Sequence, residues 1–353
     1  FKPPFFKGGL FYFTLNIKLY LLRRFYSAAI VLIGVSILIF IIARMIPGDP
    51  ARMALGPTAT QEMVEKYRDK LHLNDPIHIQ YWFFIKGITK GDLGESVYTK
   101  RKVTTDVSTY FPATLELIIF ASLIMIFVGV PLGILAGRFK DKAIDNISRF
   151  ISLLGVVTPS FVWAVFLMII FAFYLDILPV AGRLSQDTVA PERITGLIIL
   201  DSIIRGQFNV TIDALKHIIL PALALSLGAL GQASRLTRSN ITEVYDKQYI
   251  EMARAYGYNE FKIATKYALK PAMIPTLTIL GLDFAAMLGN AFLVEFVFAW
   301  PGIAKYGVQA ILYKDLNAIT ATTMIIATFF VFTNLIVDLI VAYLNPKIRL
   351  SGK

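Results

Sequence analysis

The chain has 353 residues, 56% of them apolar and 17% charged, with a mean hydropathy of +0.63; about 25% charge is usual in a soluble domain, so an integral membrane protein is expected. Cysteine is absent, which excludes disulfides and thiolate metal sites, and the histidines (His72, His78 and His217) are too scattered for a metal cluster. The net charge of +11 divides by loop instead of collecting in one patch, which argues against nucleic acid and for membrane topology.

Residues 1–24 form an N-terminal segment. The stretch 10–22 is apolar except for Thr14, Asn16 and Lys18. At about 1.5 Å per residue it reaches roughly 20 Å, too short for a bilayer core of about 30 Å. An interfacial helix anchored by Arg23 and Arg24 is expected there, the alternative being that it extends the first span. The first long apolar run is too long for the core of a secretory leader, and no small-residue cleavage site follows it. The chain opens on Phe1, not Met, which leaves room for residues upstream.

Six segments are long and apolar enough to cross a membrane: 25–45, 113–137, 147–175, 215–236, 273–299 and 318–344. The first spacer, 46–112, is expected as a small extracytoplasmic, lid-like subdomain. It opens on the rigid turn Ile46-Pro47-Gly48-Asp49-Pro50, and 60–71 reads as a helix with Thr60 as its N-cap. The remaining five spans, 113–344, form a core interrupted by a polar loop at 237–272, and 345–353 is a tail. Lys and Arg crowd residues 1–24, 138–146, 237–270 and 345–353. The opposite short loops hold only Arg183, Arg193, Arg205, Lys305 and Lys314. Both termini and the 237–272 loop are therefore expected on the cytoplasmic side.

Within the spans, Gly129, Gly133 and Gly137 recur every four residues, as do Gly281, Ala285 and Gly289. Small faces let helices approach closely in lipid, either as static packing or for sliding, and static packing is the simpler expectation. Pro131, Pro159, Pro221 and Pro275 are expected to kink helices. Asp283 lies deep in the fifth span, where a carboxylate is costly and usually meets water or a partner. It and Asn290 are candidates for lining a pathway, Asp283 by meeting a cation such as a peptide amino terminus; a structural hydrogen bond is the alternative. Glu295 is expected in a structural or gate-adjacent role, and Asp338 to pair with a nearby base. Glu116, in the first turn after Pro112, is expected to answer the helix dipole. Asn209-Val210-Thr211 fits a glycosylation acceptor.

The loop at 246–259 is the most telling stretch. Asp246 is expected to N-cap a short helix through Tyr256, closed by a left-handed Gly257. Asn259 caps a second helix with Glu260 in its first turn. Tyr249, Ala253 and Tyr256 fall on one face of the first helix. Such a knob suits a groove on another protein. The spans carry no H-E-x-x-H and no paired catalytic aspartates, and no P-loop is present, which argues against an intramembrane enzyme or an ATPase. A stand-alone carrier would be expected to place more ionisable or broken-helix signals near the midplane, and it has no need of the knob.

Glu251-Met252-Ala253, Gly257 and the later Ile274-Pro275 resemble the cytoplasmic loop signature of ABC-importer permeases, with Met252 where the general pattern has Ala. Tyr249-Ile250, then Ala253-Arg254-Ala255 and Gly257, resemble the dipeptide/oligopeptide branch. So do the 46–50 turn, Gly91-Asp92-Leu93-Gly94, Pro112-Ala113-Thr114-Leu115-Glu116, Pro159-Ser160-Phe161, Leu220-Pro221-Ala222, Arg235-Leu236-Thr237-Arg238, Trp300-Pro301-Gly302, Asn334-Leu335 with Asp338, and Pro346-Lys347-Ile348-Arg349. These are collinear over residues 23–349. The resemblance implies an all-α, six-helix type I importer permease in a prokaryotic plasma membrane. It implies a homologous second permease, two ATP-binding subunits that hold ATP and Mg, and an extracytoplasmic solute-binding protein, with no cofactor in this chain. Substrates would be di- and oligopeptides, with oligosaccharides or nickel complexes as alternatives. Tyr249, Ile250, Glu251, Ala253, Arg254, Ala255 and Gly257 would couple the chain to the ATPases.

Overall fold

Between Leu10 and Met45 there is no proline and only one glycine, Gly34, so nothing stops a helix. In the computed structural model, which describes residues 8–45, 49–56, 58–70 and 72–344, α1 (Gly8–Met45) runs unbroken through Arg23 and Arg24. The separate interfacial helix is thus replaced by an extension of the first span. The apolar part suited to lipid is Leu22–Met45. Arg24 pairs with Asp338 of the last helix at 2.8 Å, the basic partner expected for that aspartate.

The next helices are short: α2 (Pro50–Leu55), α3 (Gln61–Lys70) and α4 (Ile77–Thr89). Thr60 Oγ1 accepts from the Met63 N–H at 3.4 Å, and Asp49 Oδ1 accepts from Ala51 N–H at 3.0 Å. Residues Ile46, Pro47 and Gly48 of the expected turn, and the 345–353 tail with its Pro346-Lys347-Ile348-Arg349, lie outside the described residues. Tyr81 and Gln80 of α4 bond Ser36 and Arg44 of α1 at 2.8 and 2.9 Å.

Helix α5 (Val103–Ile124) starts ten residues before the expected boundary at 113 and carries Pro112 inside it. A proline there leaves the carbonyl four residues back without a donor. Arg193 supplies one, donating to Ser108 O at 2.5 Å. Residues 103–112 are therefore helical and continuous with the second span. Glu116 accordingly sits in mid-helix, not at a helix start, and its dipole role gives way to direct bonds: it takes Arg183 at 2.5 Å and the Ile199 N–H at 2.8 Å.

A π turn, Met125–Gly129, joins α5 to α6 (Val130–Arg138) two residues ahead of Pro131. The same arrangement recurs where α12 (Glu260–Lys262) passes through the π turn Ile263–Ala268 before Pro271. In both places the wide turn accommodates the proline's missing donor and its ring.

The expected third span is not one helix. α7 (Ala143–Val157) and α8 (Ser160–Leu167), with its π continuation Met168–Tyr174, meet at an angle of 105°. Proline disfavours the helical region for the residue before it, and Thr158 is extended at φ −86°, ψ 124°. α9 (Ile198–Ile204) follows a long connection that Asp201 holds, accepting the N–H groups of Ile194, Thr195 and Gly196.

The central element is α10 (Phe208–Tyr245), which touches α5, α6, α7, α8, α9 and the later α13 (Leu269–Val297). It outruns the expected 215–236 at both ends because Thr211 and Ala214 before it, and Ile241 and Val244 after it, continue its buried stripe. With helix resuming at Glu260, the 237–272 loop contracts to 246–259. The glycosylation acceptor is helical too. Thr211 is buried and its hydroxyl bonds Ser202 at 2.8 Å, so the hydroxyl such a site needs is occupied. α14 (Ile303–Leu312) and α15 (Leu316–Leu344) complete the chain. Among the described residues, the long apolar helices and the bent pair amount to as many as 6 candidate spans.

Lipid tails are as apolar as leucine, so the bundle gains from close packing rather than from leaving water. Glycine supplies it. A Cβ on Gly133 would stand 2.5 Å from Ser234 O of α10, and one on Gly155 2.5 Å from Leu227 O. Gly281 meets Val337 of α15, but Gly289 faces open space.

Candidate coupling hairpin and membrane cavity

Helix α11 (Gln248–Ala255) sits at the tip of α10. Asp246 does not cap it. It is the C-cap of α10, at φ −83°, ψ 3°, and the N-cap of α11 is Lys247, extended and without a side-chain hydrogen bond. Gly257 takes φ +76°, which lets its N–H reach Arg254 O at 2.9 Å while Tyr258 N–H reaches Ala253 O at 3.2 Å. These bonds close the helix as a left-handed glycine should. Asn259 Oδ1 accepts from Lys262 N–H at 2.8 Å.

The hairpin has a clear inside and outside. Ile250 (0% exposed) and Ala253 (5%) pack with Ile241, Val244, Ile263, Ala268 and Ala272. Ala253 therefore drops to the anchored side, away from the outward Tyr249 and Tyr256 with which helical spacing groups it. Tyr249, Glu251, Met252, Arg254, Ala255, Tyr256 and Gly257 are exposed. Exposed Tyr258 and Phe261 extend that surface. Sequence spacing missed these two because they follow the glycine, although two aromatics in an otherwise polar turn were a readable signal. Arg254 Nε binds Glu260 at 2.8 Å and its guanidinium lies over the Tyr245 ring at 5.6 Å. The Glu260 bond holds its pKa above the usual value; Glu243 does the same for Lys247. Burial raises the Tyr249 phenol.

A second feature is an open pocket between α7, α8, α10 and α13. At the α7–α8 break a cavity of about 360 Å³ is lined by Thr158 and Ser160, by Gln232 of α10, and by Asp283 and Asn290 of α13. Asp283 Oδ1 accepts from Gln232 Nε2 at 3.1 Å. Its Oδ2 is buried with no hydrogen-bond partner among the described residues. Glu295 is elsewhere and fully bonded: the Thr114 hydroxyl and the Lys305 N–H (2.7 Å) donate to it. Trp300 Nε1 donates to Ala113 O at 2.9 Å. This clasp locks α13 and α14 to α5. Among the described residues no His, Asp or Glu cluster could hold a metal.

A polytopic helical bundle with a broken helix beside an open, partly polar pocket, and an anchored hairpin displaying aromatics, has the form of a membrane permease that works with a partner. Residues 129–350 match the family model described as binding-protein-dependent transport system inner membrane component, and residues 17–118 match that of its N-terminal region. The chain is 39% identical over 331 residues to a dipeptide transport system permease protein, DppB, of Alkalihalophilus pseudofirmus, covering 94% of this chain and 99% of the relative. It is 37% identical over 330 residues to the probable D,D-dipeptide transport system permease protein DdpB of Escherichia coli, covering 94% and 97%. It is 31% identical over 330 residues to the glutathione transport system permease protein GsiC of Salmonella choleraesuis, covering 94% and 98%. The chain belongs to the binding-protein-dependent transport system inner membrane component family. It is an all-α, multi-pass membrane component of that kind of system.

Proposed function

We propose that this chain forms one half of the membrane pathway of an ATP-driven importer of di- and oligopeptides. It works with a homologous second permease, two ATP-binding subunits that carry ATP and Mg, and a solute-binding protein. The observation that carries the coupling is the division of the hairpin. Ile250 and Ala253 fix it to the bundle, while Tyr249, Met252 and Tyr256 remain exposed on its other side. Such a surface is wasted on a loop that merely connects spans. In this reading Tyr249, Glu251, Arg254, Ala255 and Gly257 meet the ATPase, and Ile250 and Ala253 act by holding them there. The Lys and Arg asymmetry supports cytoplasmic termini and a cytoplasmic hairpin, with the α2–α4 segment facing the solute-binding protein.

Helix α10 supplies the transmission. It is continuous from Phe208 to Tyr245, and Gln232 lies roughly 20 Å up from the hairpin at about 1.5 Å per residue. A displacement of the hairpin by closing ATPases reaches the cavity wall through that rigid element. The tight glycine contacts of α6 and α7 on α10 carry it onward. Asp283 and Asn290 line the pathway. Relatives named for dipeptide and glutathione transport support a peptide substrate.

The test is substrate-stimulated ATP hydrolysis. The complex is purified through a tag on this chain, reconstituted with its binding protein, and offered peptides or oligosaccharides. Stimulation by peptides is expected. Stimulation by sugars alone would overturn the substrate, and absence of any co-purifying ATPase would overturn the coupling.

A further inference from the structure

The geometry points to the α7–α8 cavity as a binding subsite for the primary ammonium group of a passing peptide, with Asp283 as its counter-ion. The inference rests on the peptide-importer reading above and names the chemistry of one step in it. The observations are independent of the hairpin. Asp283 lies about midway along its span, roughly 20 Å from both Lys270 and Val297 at about 1.5 Å per residue. A carboxylate at that depth is expensive and is normally paired. Here Gln232 satisfies Oδ1 at 3.1 Å, whereas Oδ2 has no hydrogen-bond partner among the described residues. Among the described residues no Lys, Arg or His lines the cavity. Asp283 lines a space of about 360 Å³, within the range of about 300–1,000 Å³ typical of small-molecule sites.

The rest of the lining fits the same ligand. An ammonium has three N–H donors. Asn290 and the hydroxyls of Thr158 and Ser160 offer further acceptors, and the remaining walls are largely apolar, with Phe161, Leu225 and Met287 among them. Such a cavity reads the group that every unmodified peptide shares and leaves the side chains unread. One carboxylate is too few for a divalent cation, which takes several hard ligands. A single charge with few hydrogen bonds also gives the weak hold that a transit site needs, since bound cargo must leave again.

The absence of native cysteine permits a direct test in the assembled complex. Ala286 lines the cavity one turn from Asp283, so Ala286→Cys places this chain's sole thiol beside it. Its modification by cationic and by anionic methanethiosulfonates is followed by intact mass of this chain. The cationic reagent should react preferentially, and Asp283→Asn should reduce that preference about tenfold or more, as loss of one nearby charge requires. Asparagine keeps an acceptor for Gln232, so the helix contact survives. Millimolar alanylalanine should protect the thiol and N-acetylalanylalanine should not, and Asp283→Asn should abolish the difference. Peptide uptake per ATP should fall in Asp283→Asn and recover in Asp283→Glu. Equal protection by both peptides, or a reagent preference unchanged by Asp283→Asn, would overturn the subsite. Dissociation of the second permease in Asp283→Asn would assign the carboxylate to an intersubunit ion pair instead. If the native complex takes up no peptide, the importer reading fails, and the subsite falls with it.

Discussion

Shortening Ile250 should loosen the hairpin while leaving the bundle intact. Its side chain is fully buried between α11 and the ends of α10 and α13, in a part of the molecule where the competing solvent is water. At about 0.8 kcal/mol per buried CH₂, Ile250→Val loses about 0.8 kcal/mol and Ile250→Ala about 2.4 kcal/mol before any cavity term, within the span of about 2–5 kcal/mol for such truncations. A factor of ten per 1.4 kcal/mol makes these roughly 4-fold and 50-fold increases in hairpin opening. The amide of Tyr258 reports on it, since its bond to Ala253 O at 3.2 Å breaks when α11 lifts. Hydrogen exchange of peptides covering 248–258 should therefore speed up about 4-fold in Ile250→Val and 50-fold in Ile250→Ala, with exchange in the middle of α10 unchanged. ATP hydrolysis should become uncoupled from uptake in the same order. Equal exchange in all three proteins would refute the anchoring, and so would acceleration along the whole of α10.

Asp145 is wholly buried and bonds Arg238 at 2.5 and 2.7 Å. Asp145→Ala should destabilise the complex to chemical denaturation by about 1.5–3 kcal/mol by leaving the partly exposed Arg238 without its charged hydrogen-bond partner, and Asp145→Ala with Arg238→Met should recover part of that. Gly133→Ala should cost about 1–3 kcal/mol through overpacking against Ser234 O, whereas Gly289→Ala, which meets nothing within 4 Å, should be neutral; thermal stability of the purified complex compares them. Burial works to raise the pKa of Asp201, but bonds from Thr195, Gly196 and Ile194 outweigh it and hold the carboxyl below its usual value. A depressed folded pKa gives stability that is present above the ordinary carboxylate pKa of about 4 and lost as the pH falls through the folded value. Asp201→Asn should flatten the acid limb of the unfolding profile in that window.

The spans and the hairpin were legible because they depend on local signals: apolar run length, a glycine that needs positive φ, and an asparagine that caps. What escaped depends on partners distant in sequence. Pro112 marked a helix start by every local rule, yet Arg193, far along the chain, lets the helix continue through it. Glu116 could not be read apart from Arg183. Ala253 was grouped with Tyr249 and Tyr256 by angle alone, and only the packing of Ile241 and Ile263 shows which side of α11 is anchored. Pro159 announced a kink, but the size of the bend depends on what α10 and α13 place around it. Asp283 and Asn290 were legible as polar residues at membrane depth. Their shared cavity with Thr158 and Gln232 was not.

The account stands most directly on where the hairpin docks. With no cysteine elsewhere in the chain, Tyr256→Cys offers this subunit's sole thiol at its most exposed hairpin aromatic, 76% accessible. A thiol-to-amine cross-linker applied to the native-membrane complex should join this chain to an ATP-binding subunit, with a yield that changes when nucleotide is added. Cross-links only to lipid-facing neighbours, or none to any ATP-binding protein, would contradict it.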